Sequence, residues 1–458
     1  MTTVPSPDPR KSVAMHCLAL ILVLVGGIAA AAGPAQDMPA IVHKPSVDVH
    51  SGPDFATPRI ATLNQNAPVK ISGQQGLWFR VKMPQDKPGY LRVTDVRMAY
   101  AGKQGSAANT MAIFNGRAAG GKVSETASVR GLDESDLQSA GFDGAQLAKM
   151  ESYRVSADAA AANARSKGWT SSNVAYAAEA RPAVKGGKPQ ASQSQKRGGL
   201  SMARGLLSQL GVGGGMAGNA MDVADKAAPK SEEELSAEEL ALGPEIAGRI
   251  LGAAPLVRDD AAQRRVNQIG RWVASHSARP ELPWTFGIID SAEVNAFAAP
   301  GGYVLITRGM YQLLSDDAEV AAVLGHEISH VVQRDHYNVI RKQEIASAGK
   351  DIAISHINVG GGVAGSMAKD YVAKHGAAVM LTSLDRSAEY RSDEASGYYL
   401  ARSGFNPLSL YAVLQKMTSL GTQSASLAQL YKTHPPLDER LEHLDRNGYA
   451  GLESYTNR

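Results

Sequence analysis

Two histidines four positions apart, with a glutamate beside the first, are the residues of this sequence that most clearly indicate chemistry. His326 and His330 lie within residues 316–336, whose pattern predicts a single helix. Residues four apart on a helix share a face, so both imidazoles can bind one zinc ion. Glu327 can then take a proton from the metal-bound water as it attacks a peptide bond. The alternative is a chance pair of surface histidines on an amphipathic helix.

A third zinc ligand must come from elsewhere in the chain, and two acidic residues downstream are candidates. Glu389 and Asp393 lie four apart at the start of a predicted helix that runs to residue 402, so they share a face. One carboxylate can bind the metal while the other orients a ligand histidine. Taken alone, acidic residues on a helix are usually solvated.

The N-terminus is typical of an export signal. Arg10 and Lys11 precede an uncharged run, residues 12–36, whose apolar centre is followed by small residues. Residues 1–33 are therefore predicted to be a cleaved signal peptide, which indicates a periplasmic or secreted protein. The alternative is an uncleaved membrane anchor, because the run is about long enough to span a bilayer. Cys17, the only cysteine, lies in this leader, so the mature chain has no disulfide.

Residues 38–100 have the pattern of a small all-β domain. Turns rich in Gly, Asn and Pro separate short predicted strands at residues 47–50, 60–63, 69–71, 77–81 and 89–91. The opening Val-Asp-Val-His-Ser-Gly-Pro, the Leu77-Trp78 pair and the closing Gly89-Tyr90 resemble a bacterial SH3-like domain. The resemblance implies a barrel that binds a cell-wall peptide or another envelope ligand. Alternatively, the barrel only packs against its neighbour, with Trp78 in its core.

The middle of the chain gives few signals. Residues 101–235 are predicted to be a low-complexity linker with room for one or two helices, because residues 185–230 are rich in Gly, Ser, Ala and Lys. Beyond it, an apolar face formed by Val266, Ile269 and Val273 predicts a helix, and a strand follows at residues 284–289. The net charge of +3 is too small to favour nucleic acid as a partner.

Four segments of the C-terminal half resemble, in order, the zinc metallopeptidases of the CAAX-prenyl-protease and HtpX type, the gluzincin peptidase family M48. Residues 295–309 resemble the strand and turn before the active helix, and residues 319–330 resemble that helix. Residues 387–393 resemble the helix with the third ligand, and residues 433–440 resemble the late His-Pro…Arg motif. The resemblance implies a mostly helical, zincin-type metallopeptidase domain with a small sheet, predicted at residues 236–458.

The resemblance assigns roles to the residues that match these motifs. His326, His330 and Glu389 would bind one Zn²⁺ ion per chain. Glu327 would be the general base and later the acid towards the leaving amine. Asp393 would hold a ligand histidine in the correct tautomer.

Other residues near these motifs have expected places as well. His434 and Arg440 would face the site and stabilise the oxyanion, although His434 could instead cap the zinc in a resting form. Ser392 stands where the family commonly has alanine, a departure expected to matter little. His336 and His443 match no ligand position and are expected at the surface.

An apolar strand that starts near residue 301 is a candidate for substrate binding. Gly301, Gly302, Tyr303 and Val304 are predicted to accept an extended peptide, because a peptide can add to the edge of a strand. The glycines would let the backbone of the substrate approach closely. The alternative is an ordinary buried strand.

These observations predict an α+β multidomain protein, in which a small all-β SH3-like barrel precedes a mostly helical metallopeptidase domain. Its predicted function is that of an exported zinc metalloendopeptidase that cuts proteins or peptides in envelope protein quality control. A non-proteolytic envelope assembly or binding factor and a cell-wall peptide hydrolase remain as alternatives. Membrane association is expected only through an uncleaved leader, and prenyl-protein substrates are not expected.

Overall fold

The computed structural model of this chain describes the greater part of residues 38–456. The described residues are 38–84, 87–98, 132, 134–176, 232–343, 379–381, 383–421, 424–447, 449 and 451–456. The predicted leader and most of the predicted linker, including its glycine-rich part, lie outside them. None of the helices in the described ranges is long and apolar enough to cross a lipid bilayer.

Seven strands form one antiparallel sheet in the N-terminal part of the described chain. The strands are Met38–Val42 (β1), Ser46–His50 (β2), Arg59–Asn64 (β3), Pro68–Gln75 (β4), Trp78–Lys82 (β5), Pro88–Arg92 (β6) and Val96–Met98 (β7). Their order is β3-β2-β6-β5-β4-β1-β7. Alternating residues such as Val47, Val49 and Val81 are buried, as expected for strands with one face on a core.

The sheet ends at β3 and β7, so the closed barrel that the sequence predicts is not confirmed by the described strands. The all-β character of this region is confirmed, and Trp78 is buried. The strands β1 and β7, which the sequence prediction missed, pair with each other and extend the sheet beyond β4.

The sheet packs directly on the helical part of the chain. Arg97 in β7 donates a hydrogen bond to the Tyr411 hydroxyl at 2.6 Å and forms an ion pair with Asp445 at 3.4 Å. The Gln415 amide donates to the backbone carbonyls of Val93 and Val96 at 3.3 and 3.2 Å. The two regions therefore share a buried polar interface and a continuous hydrophobic core.

Three helices lie between residues 134 and 167, in the described part of the interval for which the sequence predicts a linker. They are Glu134–Ser139 (α1), Gly144–Glu151 (α2) and Ala157–Lys167 (α3). Arg154, between α2 and α3, donates to Thr285 at 2.5 Å and to the Tyr303 hydroxyl at 2.9 Å. Residues 134–176 are thus packed on the C-terminal region and contribute to its second hydrophobic cluster.

The C-terminal region is mostly helical. The helices whose bounds lie within the described ranges are Glu232–Ala253 (α4), Asp260–Ala274 (α5), Arg308–Leu313 (α6), Asp317–Gln333 (α7), Arg386–Ser403 (α8), Ser409–Ser419 (α9), Leu430–Thr433 (α10) and Leu437–Asn447 (α11). The Asp316 side chain caps α7 by accepting from the Glu319 amide at 2.8 Å. The predicted apolar face of α5 is confirmed, because Val266, Ile269 and Val273 are buried.

The prediction of one continuous helix over residues 316–336 is wrong at its end. The helix α7 stops at Gln333 because Arg334 adopts a left-handed conformation, with φ of 60°. The amide of Arg334 bonds to the carbonyls of His330 and Val331, and a new helical segment starts at residue 335. The break turns the chain just beyond the second histidine.

A three-stranded sheet lies beside α7. The strands Thr285–Ile289 (β8), Ala296–Ala299 (β9) and Tyr303–Thr307 (β10) have the order β8-β10-β9. The central strand β10 runs parallel to β8 and antiparallel to β9, so its backbone is paired on both sides.

This order corrects the predicted substrate strand. Tyr303 and Val304 have no free edge to which a peptide could add, and Gly301 and Gly302 are buried. Gly301 has φ of 74°, and a Cβ there would lie 2.7 Å from the Glu239 carbonyl oxygen. The glycine does permit a close approach of backbone, but the neighbour is α4 rather than a substrate.

Candidate metal centre

Four side chains that can bind a metal converge between α7 and α8. His326 and His330 come from α7, Glu389 comes from α8, and His434 directly follows α10. One donor atom from each residue lies within 4.8 Å of the others. The structure thus brings together the three ligands predicted from the sequence and adds His434 as a fourth donor.

The spacing of these donors fits a single zinc ion. The two histidine Nε2 atoms are 3.1 Å apart, and each lies 3.6 Å from a carboxylate oxygen of Glu389. A tetrahedral site with bonds of about 2.0–2.1 Å has donor atoms about 3.3–3.4 Å apart. The Glu389 Oε1 atom is buried and has no hydrogen-bond partner among the described residues, as expected for an atom that faces a cation.

Small residues let α7 and α8 approach closely enough to share these ligands. A Cβ at Gly325 would lie only 3.1 Å from the Ser396 Oγ atom. That hydroxyl donates to the Ala322 carbonyl at 2.8 Å. A larger residue before His326 would therefore require the Ser396 hydroxyl to shift.

Asp393 and Arg440 form one chain of contacts behind the site. Asp393 Oδ1 lies 2.9 Å from His326 Nδ1, on the side of the ring that faces away from the ligand cluster. Arg440 binds the same carboxylate through Nη2 at 2.5 Å and Nε at 2.9 Å. Burial alone would raise the pKa of Asp393, but Arg440 and His326 lower it to about 2. We call His326, Asp393 and Arg440 the inner triad.

A second chain of contacts supports the other histidine, and the sequence analysis missed it. Asp335 Oδ2 lies 3.0 Å from His330 Nδ1, and Arg391 Nη2 donates to Asp335 Oδ1 at 2.7 Å. Ser392 Oγ is also 3.2 Å from His330 Nδ1. We call His330, Asp335 and Arg391 the outer triad. The only signal for it in the sequence is an acidic residue shortly after the second histidine.

The charges at the cluster favour an ionised carboxylate. Burial alone would raise the pKa of Glu389, but His434 and the two α7 histidines lower it well below the usual range. His434 Nδ1 lies 2.6 Å from Glu389 Oε2. Burial and Arg440 would lower the pKa of His326, but Asp393 and Glu389 raise it to about 9.

A small pocket adjoins the cluster on the side of Glu327. His326, Glu327, His434 and Arg440 contribute its polar groups. The rest of its lining is apolar and comes from Ala296, Met310, Val323, Leu410, Leu414, Met417 and Leu430. The pocket therefore places the predicted base beside apolar surface.

The two histidines expected at the surface differ from each other. His336 is buried, contrary to the expectation, and its ring centroid lies 5.7 Å from that of His330. Burial lowers its pKa to about 3, so it is neutral. His443 is partly exposed and bonds Glu394 at 2.7 Å.

Comparison with known protein families agrees with this geometry. Residues 260–447 match the model of Peptidase family M48. The match covers less than half of the chain. It begins at α5 and ends with α11, so it includes every donor of the cluster and both triads.

Similar curated proteins include several proteases. The beta-barrel assembly-enhancing protease of Escherichia coli strain K12 is 26% identical over 211 residues, which are 44% of this chain and 42% of that protein. Metalloprotease LoiP of the same organism is 26% identical over 174 residues, 37% of this chain and 66% of LoiP. A protease HtpX homolog of Syntrophobacter fumaroxidans is 28% identical over 234 residues, 42% of this chain and 78% of the homolog.

These similarities cover only part of the relatives. The match spans less than half the length of the beta-barrel assembly-enhancing proteases. The domain match together with the names of the relatives supports a zinc metalloprotease.

Proposed function

We propose that this protein is a zinc metalloendopeptidase. The observation that carries the proposal is the convergence of two imidazoles and one carboxylate on a single point, with Glu327 on the same helix and a pocket beside it. Two histidines, a glutamate and an open coordination position form a ligand set typical of catalytic zinc. The match to peptidase family M48 supports the same assignment.

The roles of the residues follow from their places. A zinc ion held by His326, His330 and Glu389 would act as a Lewis acid that lowers the pKa of a bound water to about 7. Glu327 accepts the proton of the attacking water and later returns it to the leaving amine. Asp393, 2.9 Å from His326 Nδ1, would hold the ring so that its Nε2 lone pair is available to the metal.

His434 has two possible roles: a fourth ligand that caps the zinc in a resting form, or a donor to the oxyanion when substrate is bound. As a fourth ligand it would occupy the position that water needs, and one of its donor atoms lies close enough to those of the other three residues for this resting form. As an oxyanion donor it would face the substrate carbonyl beside Arg440. The His434→Ala variant separates them: a gain in peptidase activity indicates the resting cap, and a loss without any release of latent activity indicates the oxyanion role.

The decisive experiment compares casein digestion by the wild type and by Glu327→Gln at matched zinc content. Loss of the proton acceptor is expected to lower the rate by about 10²–10⁴-fold while zinc stays bound. Glu394→Gln is the control, because Glu394 lies on α8 and pairs with His443 away from the cluster. Equal digestion by wild type and Glu327→Gln would favour a non-proteolytic envelope assembly or binding factor. Cleavage of purified wall peptides in place of casein would favour a cell-wall hydrolase.

We further propose that the enzyme acts on envelope proteins after export. The predicted leader at residues 1–33 supports export, and the name of one relative links that protein to β-barrel assembly. The seven-stranded sheet would then contribute an SH3-like surface for a cell-wall or envelope ligand. The N-terminal mass of the protein purified from the periplasm tests cleavage of the leader. Recovery of the intact leader in the cytoplasmic fraction would contradict export.

A further inference from the structure

We propose that Asp335, held by Arg391, is a positioning residue that fixes the ring of His330 for metal binding. The inference rests on the proposed zinc site and adds a residue that lies outside the sequence motifs of that site. Asp335 would act through His330 and would not touch substrate.

The first step is the state of the His330 ring. A neutral imidazole has one N–H, and the other nitrogen carries the lone pair that binds a metal. Asp335 Oδ2 lies 3.0 Å from Nδ1, so the proton is held on Nδ1. The Nε2 lone pair then faces the cluster, where it lies 3.1 Å from His326 Nε2 and 3.6 Å from Glu389 Oε1.

The second step is the path of the chain that brings Asp335 to this place. In a continuous helix, a residue five positions after His330 would lie about 140° away around the helix axis, too far to face Nδ1. The left-handed conformation of Arg334 breaks α7 and turns Asp335 back towards the ring. Arg334 Nε forms an ion pair with the buried Glu239 at 3.0 Å, and Glu239 also binds Arg279 at 2.6 Å. The ion pair with Glu239 of α4 therefore holds this turn in place.

The third step is the orientation of the Asp335 carboxylate itself. Arg391 Nη2 donates to Oδ1 at 2.7 Å, which leaves Oδ2 for the histidine. Arg391 lies on α8 between Glu389 and Asp393. One helix therefore provides the third ligand, the partner of His326 and the cation that holds the partner of His330.

A purely structural role for Asp335 is the competing explanation, and the chain contains a matched pair that tests it. Arg265 and Asp317 also form an ion pair at 2.7 Å, and Asp317 lies at the opposite end of α7. The arginine side chains of both pairs are 33% exposed. The Asp317 and Asp335 side chains are 26% and 9% exposed, and Asp317 contacts no metal-ligand histidine in the described structure.

The experiment compares zinc affinity of the full-length wild type, Asp335→Asn and Asp317→Asn by competition with a chromophoric chelator. Loss of a carboxylate that orients a ligand typically weakens metal binding by about 10–100-fold. We expect that loss for Asp335→Asn and a change within about twofold for Asp317→Asn. Thermal unfolding of the metal-free proteins serves as the folding control.

A second measurement reads the ring directly and needs no metal. In the metal-free wild type, the imidazole ¹⁵N shifts of His330 should report the proton on Nδ1. In Asp335→Asn, the amide NH₂ can donate to Nδ1 and move the proton to Nε2, which removes the lone pair from the cluster. Asp317→Asn should keep the wild-type shifts.

The outcomes separate this inference from the proposed function. Wild-type zinc affinity together with wild-type ring shifts in Asp335→Asn would overturn the role of Asp335, even if the enzyme is a zinc peptidase. A folded wild type that binds no zinc would overturn the proposed function, while the ring shifts would still decide the role of Asp335. If Asp335→Asn does not fold, Arg391→Gln provides the test, with a smaller loss of zinc affinity expected and no loss contradicting the inference.

Discussion

The inner and outer triads contain the same three residue types, yet they lie in different surroundings. In the inner triad, the side chains of Arg440 and Asp393 are 4% and 0% exposed. In the outer triad, Arg391 is 33% exposed and Asp335 is 9% exposed. The inner arginine binds its carboxylate through two nitrogens, whereas the described contact of the outer arginine uses one.

The comparison shows how burial decides whether such a triad contributes to the stability of the fold as well as to metal binding. A buried ion pair is costly to break, because the remaining charge has neither water nor a partner. A pair near the surface can recruit water when one partner is lost, so it contributes little to stability. We therefore expect the inner triad to support both the fold and the metal, and the outer triad to support mainly the metal.

The largest expected effect is on stability, when each arginine is replaced by methionine. Arg440→Met removes the arginine that binds the fully buried Asp393 carboxylate through two nitrogens, which should cost about 3–5 kcal/mol of unfolding free energy. Arg391→Met should cost about 1 kcal/mol or less, because its pair is partly solvated. Urea unfolding of the metal-free proteins measures both values. Equal losses would contradict the division of tasks.

Part of the inner triad follows from simple spacing, because the sequence predicts that Asp393 shares a helix face with Glu389 and holds a ligand histidine. The pairing of Arg440 with Asp393 was not predicted, since Arg440 was expected to stabilise the oxyanion. Glu389 and Asp393 share a helix face because they are four residues apart, and the same rule pairs His326 with His330. The ends of α8 were predicted to within one residue, and the strands β2 to β6 were recognised by their alternation and turns. Local periodicity is sufficient for such features because it does not depend on distant parts of the chain.

The outer triad could not be predicted in the same way, because its geometry depends on one unusual backbone conformation. Asp335 reaches His330 only because Arg334 is left-handed, and an arginine rarely adopts this conformation without tertiary support. Glu239, about a hundred residues earlier, provides that support.

The same limit explains the error about the substrate strand. The apolar pattern of Tyr303 and Val304 predicts a strand correctly, but it cannot say which strands lie on either side. The position of β10 between β8 and β9 is a property of the complete sheet. The open order of the seven-stranded sheet is likewise invisible to local patterns.

A smaller effect is expected on the stabilisation that zinc provides. Zinc at about 100 times the wild-type Kd should stabilise the wild type by about 2.7 kcal/mol. A variant that binds tenfold more weakly keeps about 1.4 kcal/mol, and one that binds 100-fold more weakly keeps about 0.4 kcal/mol.

The stabilisation that zinc provides should be about 0.4 kcal/mol for Asp393→Asn and about 1.4 kcal/mol for Asp335→Asn. The loss is larger for Asp393→Asn because the inner carboxylate is fully buried. Chemical unfolding with and without zinc gives the difference for each variant. Chelation should return every variant to its metal-free stability. The opposite ranking would show that exposure does not set the contribution of a triad to metal binding.

The smallest expected effect concerns Ser392, which distinguishes the outer triad from the inner one. Its hydroxyl donates to Ser329 Oγ at 3.2 Å, which leaves a lone pair to accept from His330 Nδ1–H. The Ser392 Oγ and His330 Nδ1 atoms are also 3.2 Å apart. With Asp335 in place, Ser392→Ala should weaken zinc binding by less than about threefold, since one acceptor remains.

In the Asp335→Asn background, the same change should cost more, with an interaction energy of about 0.5–3 kcal/mol. A double-mutant cycle on zinc affinity measures this term, with Asp317→Asn in place of Asp335→Asn as the control cycle. Strict additivity would mean that Ser392 does not share the proton, and the alanine that the family commonly has at this position would then be equivalent. A measurable coupling would instead show that Ser392 is a second acceptor for the His330 Nδ1 proton. This acceptor would compensate for the partial exposure of the Asp335–Arg391 pair.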